Sequence, residues 1–225
     1  MSQTNMSPEL VAVLQNFATI NPNFVFDSDK PLGTISPTKS VVAQYTGNVD
    51  VFPEEFSTYG IYDLNEFLTA VSLVGDSAVL NFSDKSVTIS GADGSIEYFF
   101  SRRETLNVSV VAINMPSSEV QFTITQAQLN QLKKASSVFG HKKVKFTTEG
   151  QTVCARVCDP TNATAPSFEL KIETDTTYEN VEEFVLDIDN FKFVKGDYNV
   201  IYSNKGITQF SNPSENVTYW VAVEK

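Results

Sequence analysis

Residues 61–80, IYDLNEFLTAVSLVGDSAVL, leave little choice of local structure. Asp63 stands where an N-cap carboxylate accepts orphan N–H groups, and Glu66 three residues later completes the pattern of a capping box. Leu64, Phe67, Leu68, Val71 and Val74 recur at helical spacing on one side, with Asn65, Glu66, Thr69 and Ser72 on the other. Gly75 is placed for a left-handed C-terminal cap. The spacing predicts a helix over 63–74 between two short strands.

The same grammar returns three times. Near the start, Ser7 caps, Pro8 takes the first helical position, and Leu10, Val13, Leu14 and Phe17 form the stripe. In the second half Thr125 and Gln128 make a capping box ahead of Leu129, Leu132 and Phe139. Near the end Asp187-Ile188-Asp189-Asn190-Phe191 echoes residues 63–67 and predicts a fourth helix over 188–194, ended by Gly196. Alternating strands follow each helix. A helix-and-strands unit used four times in 225 residues favours two domains with antiparallel sheets.

The strand pattern fills in the rest. Residues 23–26 and 32–35 read as a hairpin around 27–31, with further strands at 40–44 and 49–52. After the second helix come strands at 78–82, 86–90 and 95–100, the last two joined by the turn Ala92-Asp93-Gly94. In the second half the strands are 120–124, 142–148, 151–158, 167–173, 183–186, 198–203, 206–210 and 217–223, with Glu149-Gly150 as a turn. Residues 102–116 break the pattern at the midpoint of the chain and read as an extended connector. They are too apolar for a solvated linker, since Val108, Val110, Val111, Ile113 and Met115 lie there. The resulting division is a domain at 1–104, a connector at 105–116 and a domain at 117–225.

Charge and cysteine usage exclude several classes. Hydrophobic residues at 41% and charged ones at 19% describe a folded chain. Apolar runs fall short of the ~20 residues that span a bilayer, and the N-terminus lacks a secretory pattern, so a cytosolic protein without membrane partners is expected. Cys154 and Cys158, on one face of a strand, would lie roughly 13 Å apart, too far for a disulfide. With one histidine in the chain, a zinc site lacks ligands.

A net charge of −11 argues against adhesion to nucleic acid, but the charge is uneven. Residues 125–148 carry Lys133, Lys134, Lys142, Lys143 and Lys145 with no acid among them.

No catalytic set emerges. His141 lacks a paired nucleophile, and the carboxylates are scattered through turns and caps. Asp187 and Asp189, two apart on a helix, would point apart rather than share a metal. Asp27 and Asp29 could hold a cation weakly, and no glycine-rich phosphate loop is present. No enzyme, cofactor or metal is expected. The polar helix faces offer either plain solvent contact or small groups and a few lysines at phosphate distance from a duplex.

Three stretches carry a resemblance. Residues 14–21, LQNFATIN, residues 61–68, IYDLNEFL, with Ser72-Leu73-Val74, and residues 219–224, YWVAVE, closely resemble the sliding clamp of large tailed bacteriophages of the myovirus type. The order of units, the connector position and the length agree along most of the chain. The resemblance implies an α+β fold of two processivity-fold (DNA clamp) domains, each with two helices packed on antiparallel sheets. Three such chains would form a ring, with twelve helices lining a hole around duplex DNA. It further implies an ATP-dependent clamp loader, a tethered phage DNA polymerase and service to late-transcription factors, in the cytoplasm of an infected bacterial host.

The first two helices carry no Lys or Arg, unlike those of most clamps. DNA contact is therefore expected from Lys133, Lys134, Lys192 and Lys195, with Lys142 and Lys143 beside them. By analogy, edge strands would join subunits through Tyr98, Phe99, Phe100, Phe168 and Leu170. Partner peptides would dock between Val110, Ile113 and Met115 on one side and Trp220, Val221 and Val223 on the other.

Two other readings compete. A β-rich viral structural protein of the tail or baseplate fits the acidity and the Thr/Asn/Ser content but not the capped helices. A single-strand binder would need aromatics interleaved with basic residues on one sheet face, a pattern not seen here.

Overall fold

The computed structural model describes residues 5–27, 30–52, 58–75, 77–106, 108 and 113–224. It divides into two compact units: residues 1–112 with 215–217, and residues 113–214 with 218–225.

In unit 1 the elements follow as α1 (Pro8–Ile20), β1 (Phe24–Asp27), β2 (Leu32–Ile35), β3 (Val41–Tyr45), β4 (Thr58–Ile61), α2 (Leu64–Leu73), β5 (Val79–Phe82), β6 (Ser86–Gly91) and β7 (Gly94–Phe99). Both helices start as their sequences dictate. Ser7 Oγ accepts the Leu10 amide at 3.1 Å, and Asp63 Oδ1 accepts those of Asn65 and Glu66 at 2.9 and 3.2 Å. The stripes Leu10, Val13, Leu14, Phe17 and Leu64, Phe67, Leu68 are buried. The helices pack against each other.

The expected hairpin at 23–35 does not form. β1 pairs antiparallel with β4, Phe24 opposite Ile61, whereas β2 pairs with β3, Leu32 opposite Tyr45. Residues 28 and 29 of the predicted turn lie outside the described residues. The 49–52 strand is also absent: the Phe52 amide closes a turn on the Val49 carbonyl at 3.0 Å. Val51 and Phe52 are buried there, Phe52 stacking on Phe26 at 4.4 Å. Two anchoring side chains gave the apolar signal of a strand. β5, β6 and β7 form an antiparallel meander with β7 at its edge.

Unit 2 runs β8 (Val120–Ile124), α3 (Gln126–Phe139), β9 (Lys143–Cys158), β10 (Phe168–Tyr178), β11 (Glu183–Asp187), β12 (Tyr198–Ser203), β13 (Ile207–Asn212) and β14 (Val217–Ala222). The capping box at Thr125 and Gln128 is complete in both directions. The expected turn at Glu149-Gly150 is instead a bend at Gly150 (φ 58°) within one 16-residue strand. The first half of β9 pairs with β11, Lys143 opposite Asp187, and the second half with β10, Val157 opposite Phe168. β10 carries the polar stretch past Glu173 through a register shift to Tyr178. Strands β8, β12, β13 and β14 follow one another across a sheet.

The fourth helix is a correction. Asp187 caps, its Oδ1 accepting the Asp189 amide at 2.9 Å, but only Ile188–Asn190 turns, as a 3₁₀ segment. Phe191 and Phe193 explain the stop. They stack at 5.3 Å and reach Phe210 at 5.6 and 4.7 Å, while Phe193 also meets Tyr198 and Tyr219. Residues two apart cannot share a helix face, so holding both aromatics in one cluster forbids a longer helix. Among the described residues, unit 1 has two α-helices and unit 2 has one.

Candidate nucleic-acid and partner surfaces

The predicted basic island separates into two groups. Lys143 Nζ lies 3.0 Å from Asp187 Oδ2 and 3.1 Å from Glu224 Oε2, and Lys145 lies 2.7 Å from Glu183 Oε2. Lys142 pairs with Asp189. Half-burial pulls the Lys143 ammonium down, but its hydrogen bonds to Asp187 and Glu224 outweigh that and leave it above the usual lysine range. The hydrogen bond to Asp189 raises Lys142 likewise. These lysines tie β9 to β11 and to the C-terminal residues, where the Glu224 amide donates to the Val185 carbonyl at 2.9 Å. Partners 38 to 81 residues distant in the chain left no sequence signal.

The other group is exposed. Among the described residues Lys133, Lys134 and Lys195 enter no salt bridge, and all three are exposed together with Lys192. Lys133 and Lys195 line one cavity of about 420 Å³ with Gln126, Asn130 and Phe193. Its walls crowd the Lys133 ammonium, and the lost hydration holds it below the usual lysine range although the residue still meets solvent. The Gln126 side chain accepts the Gly196 amide at 2.6 Å, and Asp197 Oδ1 accepts the Gln126 amide at 2.7 Å. These bonds fix the 191–197 segment to the first turn of α3. On α1 and α2 the exposed positions Gln15, Thr19, Asn65, Thr69 and Ser72 are polar and uncharged, with Glu66 the one exception among the polar-face residues named above.

The expected interface residues lie on edge strands. β7 and β10 each end a sheet. Phe99 is 65% exposed. Tyr98 is half-buried, its ring edge-on to Phe67 at 5.3 Å and its hydroxyl donating to the Asp63 carbonyl at 3.4 Å. Phe100 is half-buried against Tyr59 and Phe82, and Phe168 and Leu170 are half-buried on β10.

The partner-peptide set divides differently. Trp220 and Val221 are buried in unit 2, so neither offers a surface, whereas Val223, Ile113 and Met115 are half-exposed. Val110 lies outside the described residues. At the start of the connector Leu106 and Val108 are buried, and the Arg103 guanidinium donates to both their carbonyls. Cys154 is buried and Cys158 half-buried, both free thiols, and burial pushes the Cys154 thiol up. His141 meets the Pro166 carbonyl through Nε2 at 2.9 Å.

This fold of helix-backed antiparallel sheets in two units is the DNA-clamp fold. A Helicobacter pylori beta clamp bound to a DNA ligase peptide superposes with a TM-score of 0.72 at 10% identity, covering 99% of this chain and 65% of that one. The chain thus spans about two thirds of the length of that bacterial clamp. Relatives in sequence match end to end. The sliding clamp of Vibrio phage KVP40 is 28% identical over 97% of this chain and 98% of its own, and that of Escherichia phage RB69 is 24% identical over 97% and 96%. No protein-family model matches. The chain thus has the DNA-clamp fold and is similar along nearly its whole length to phage sliding clamps, a likeness that supports a DNA sliding clamp and not the viral structural protein.

Proposed function

We propose that three copies of this chain close into a ring around duplex DNA and hold a phage DNA polymerase there, without catalysing a reaction. The observation that carries this reading is the pair of edge strands, β7 in unit 1 and β10 in unit 2. Two different edges on one chain join head to tail, and a head-to-tail contact that closes gives a ring. Such edges also need covering, because exposed strands with Phe99 and Phe168 otherwise invite aggregation. A chain with two thirds of a bacterial clamp's length needs more copies to enclose the same duplex.

Weak contact suits the task. A closed ring stays on DNA by enclosure, so it needs only a few sequence-blind phosphate contacts, from Lys133, Lys192 and Lys195 and from Lys134 nearby. Lys142 and Lys143, already paired, contribute less. The acidity of the rest of the surface discourages adhesion elsewhere. Residues 105–116 join the two domains, and Ile113, Met115 and Val223 offer apolar area for a partner peptide from the polymerase, the ATP-dependent loader or late-transcription factors. The place of action is the cytoplasm of the infected bacterium.

The test is topological. Loaded onto circular DNA with an ATP-driven loader, the protein stays bound through gel filtration, and cutting the circle releases it. Equal retention on cut and uncut circles refutes enclosure.

A further inference from the structure

Among the described residues two helix flanks are exposed, and they differ in charge. The flank of α2 that carries Asn65, Leu68, Thr69 and Ser72 faces α1, and the two helices line a cavity of about 310 Å³ with Val11 and Gln15. Helical spacing puts Glu66, Ala70 and Leu73 on the other flank, toward β7. On β7 the Tyr98 hydroxyl donates to the Asp63 carbonyl at 3.4 Å and its ring lies edge-on to Phe67 at 5.3 Å, which sets the first turn of α2, with Glu66 in it, beside that strand. Leu73 is 69% exposed.

α3 presents the counterpart. Gln126, Asn130 and Lys133 face the cavity beside Phe193 and Lys195, so the opposite flank holds Ala127, Gln131, Lys134 and Val138. All four are exposed, Val138 at 67%. α3 packs on β9 and β10, and His141 just beyond its end meets the carbonyl of Pro166, two residues before β10. Each edge strand is therefore flanked by a helix that ends in an exposed aliphatic side chain.

We propose that Glu66 and Lys134 select which edges meet when copies of this chain assemble. The proposal rests on the ring reading and assigns Lys134 to the subunit contact rather than to DNA. Glu66 is the only charged residue of α2, and α3 carries Lys133 and Lys134 with no acid. Joining β7 of one copy to β10 of the next brings an acidic flank to a basic one and covers Leu73, Val138 and Phe99. Joining β7 to β7 sets Glu66 against Glu66, and joining β10 to β10 sets Lys134 against Lys134. Like charges thus oppose the isologous dimers, which cannot enclose anything, and leave the head-to-tail contact that can close.

Sedimentation of the full chain over a range of concentrations tests this, with circular dichroism as the check on folding. The wild type forms a trimer. E66K and K134E each raise the concentration of half-dissociation by about tenfold or more, since each turns an attraction into a repulsion. E66K/K134E, with the charges exchanged, returns to within about threefold of wild type, and K133E assembles like wild type. L73S and V138S, which remove the apolar cover, each weaken assembly by several-fold. Single charge variants that assemble as well as wild type overturn the proposal, as does a double variant no better than the singles. Either result leaves a trimeric wild type, and with it the ring reading, standing. A wild type that stays at 24.9 kDa at every concentration rejects the ring and the pairing together.

Discussion

Gly91 is where the structure makes its sharpest demand on a single side chain. A Cβ there would lie 1.9 Å from the Val74 carbonyl oxygen, 2.8 Å from its carbon and 3.2 Å from Val74 Cβ. Ordinary contact begins at 3.4 Å, so Gly91→Ala must separate the end of β6 from the end of α2 by roughly 1.5 Å. The obstacle is backbone and cannot rotate away. The same carbonyl accepts the Asp93 amide at 3.4 Å, a bond that the separation breaks. Overpacking of this kind costs about 1–3 kcal/mol and a lost hydrogen bond about 0.5–1.5, so the variant should lose about 2–4 kcal/mol.

A unit of this size shifts by about 4–8 °C per kcal/mol, which puts the melting of unit 1 roughly 8–32 °C lower. Calorimetry on the full chain reads it, and hydrogen exchange at β6 and β7 locates it. Gly140→Ala is the control: there a Cβ meets nothing within 4 Å, and only the left-handed φ of 70° is strained, at about 1 kcal/mol. A Gly91→Ala protein that melts within about 2 °C of wild type, or above Gly140→Ala, refutes the close approach.

Two further outcomes follow from local geometry. Thr125→Ala removes the reciprocal cap of α3 and should cost about 1 kcal/mol, read as a lower urea midpoint with an unchanged slope. The Tyr45 phenol, buried and donating to Glu9 Oε1 at 2.9 Å, is pushed up to about 12 by burial first and by Glu9 second. The folded state holds this proton more tightly than the unfolded chain does. Its contribution is therefore intact below pH 10 and lost as pH rises from 10 toward about 12. Urea midpoints across that window should fall for wild type and fall less steeply for Tyr45→Phe.

The α-helices were legible because everything that specifies them lies within four residues. Ser7, Asp63 and Thr125 cap, the stripes repeat every three or four positions, and backbone geometry completes the helix wherever they occur. Residues 187–191 carried the same start signal and failed, because Phe191 and Phe193 are held by Phe210, Tyr198 and Tyr219 from strands far along the chain. Strand segments were legible too, but not their partners. Whether β1 meets β2 or β4 depends on which pairing buries Phe24, Phe26 and Tyr59 together. No local pattern carries that choice.

The same division holds for the site. Sequence alone determined which lysines exist and that residues 125–148 of an acidic chain carry Lys133, Lys134, Lys142, Lys143 and Lys145 with no acid among them. Only the tertiary structure decided which lysines are spent. Register between β9 and β11 sets Lys143 against Asp187 and Lys145 within reach of Glu183, while α3 turns Lys133 and Lys134 outward. Charge is a property of composition, but its availability to a partner depends on what the fold has already brought within 3 Å of it.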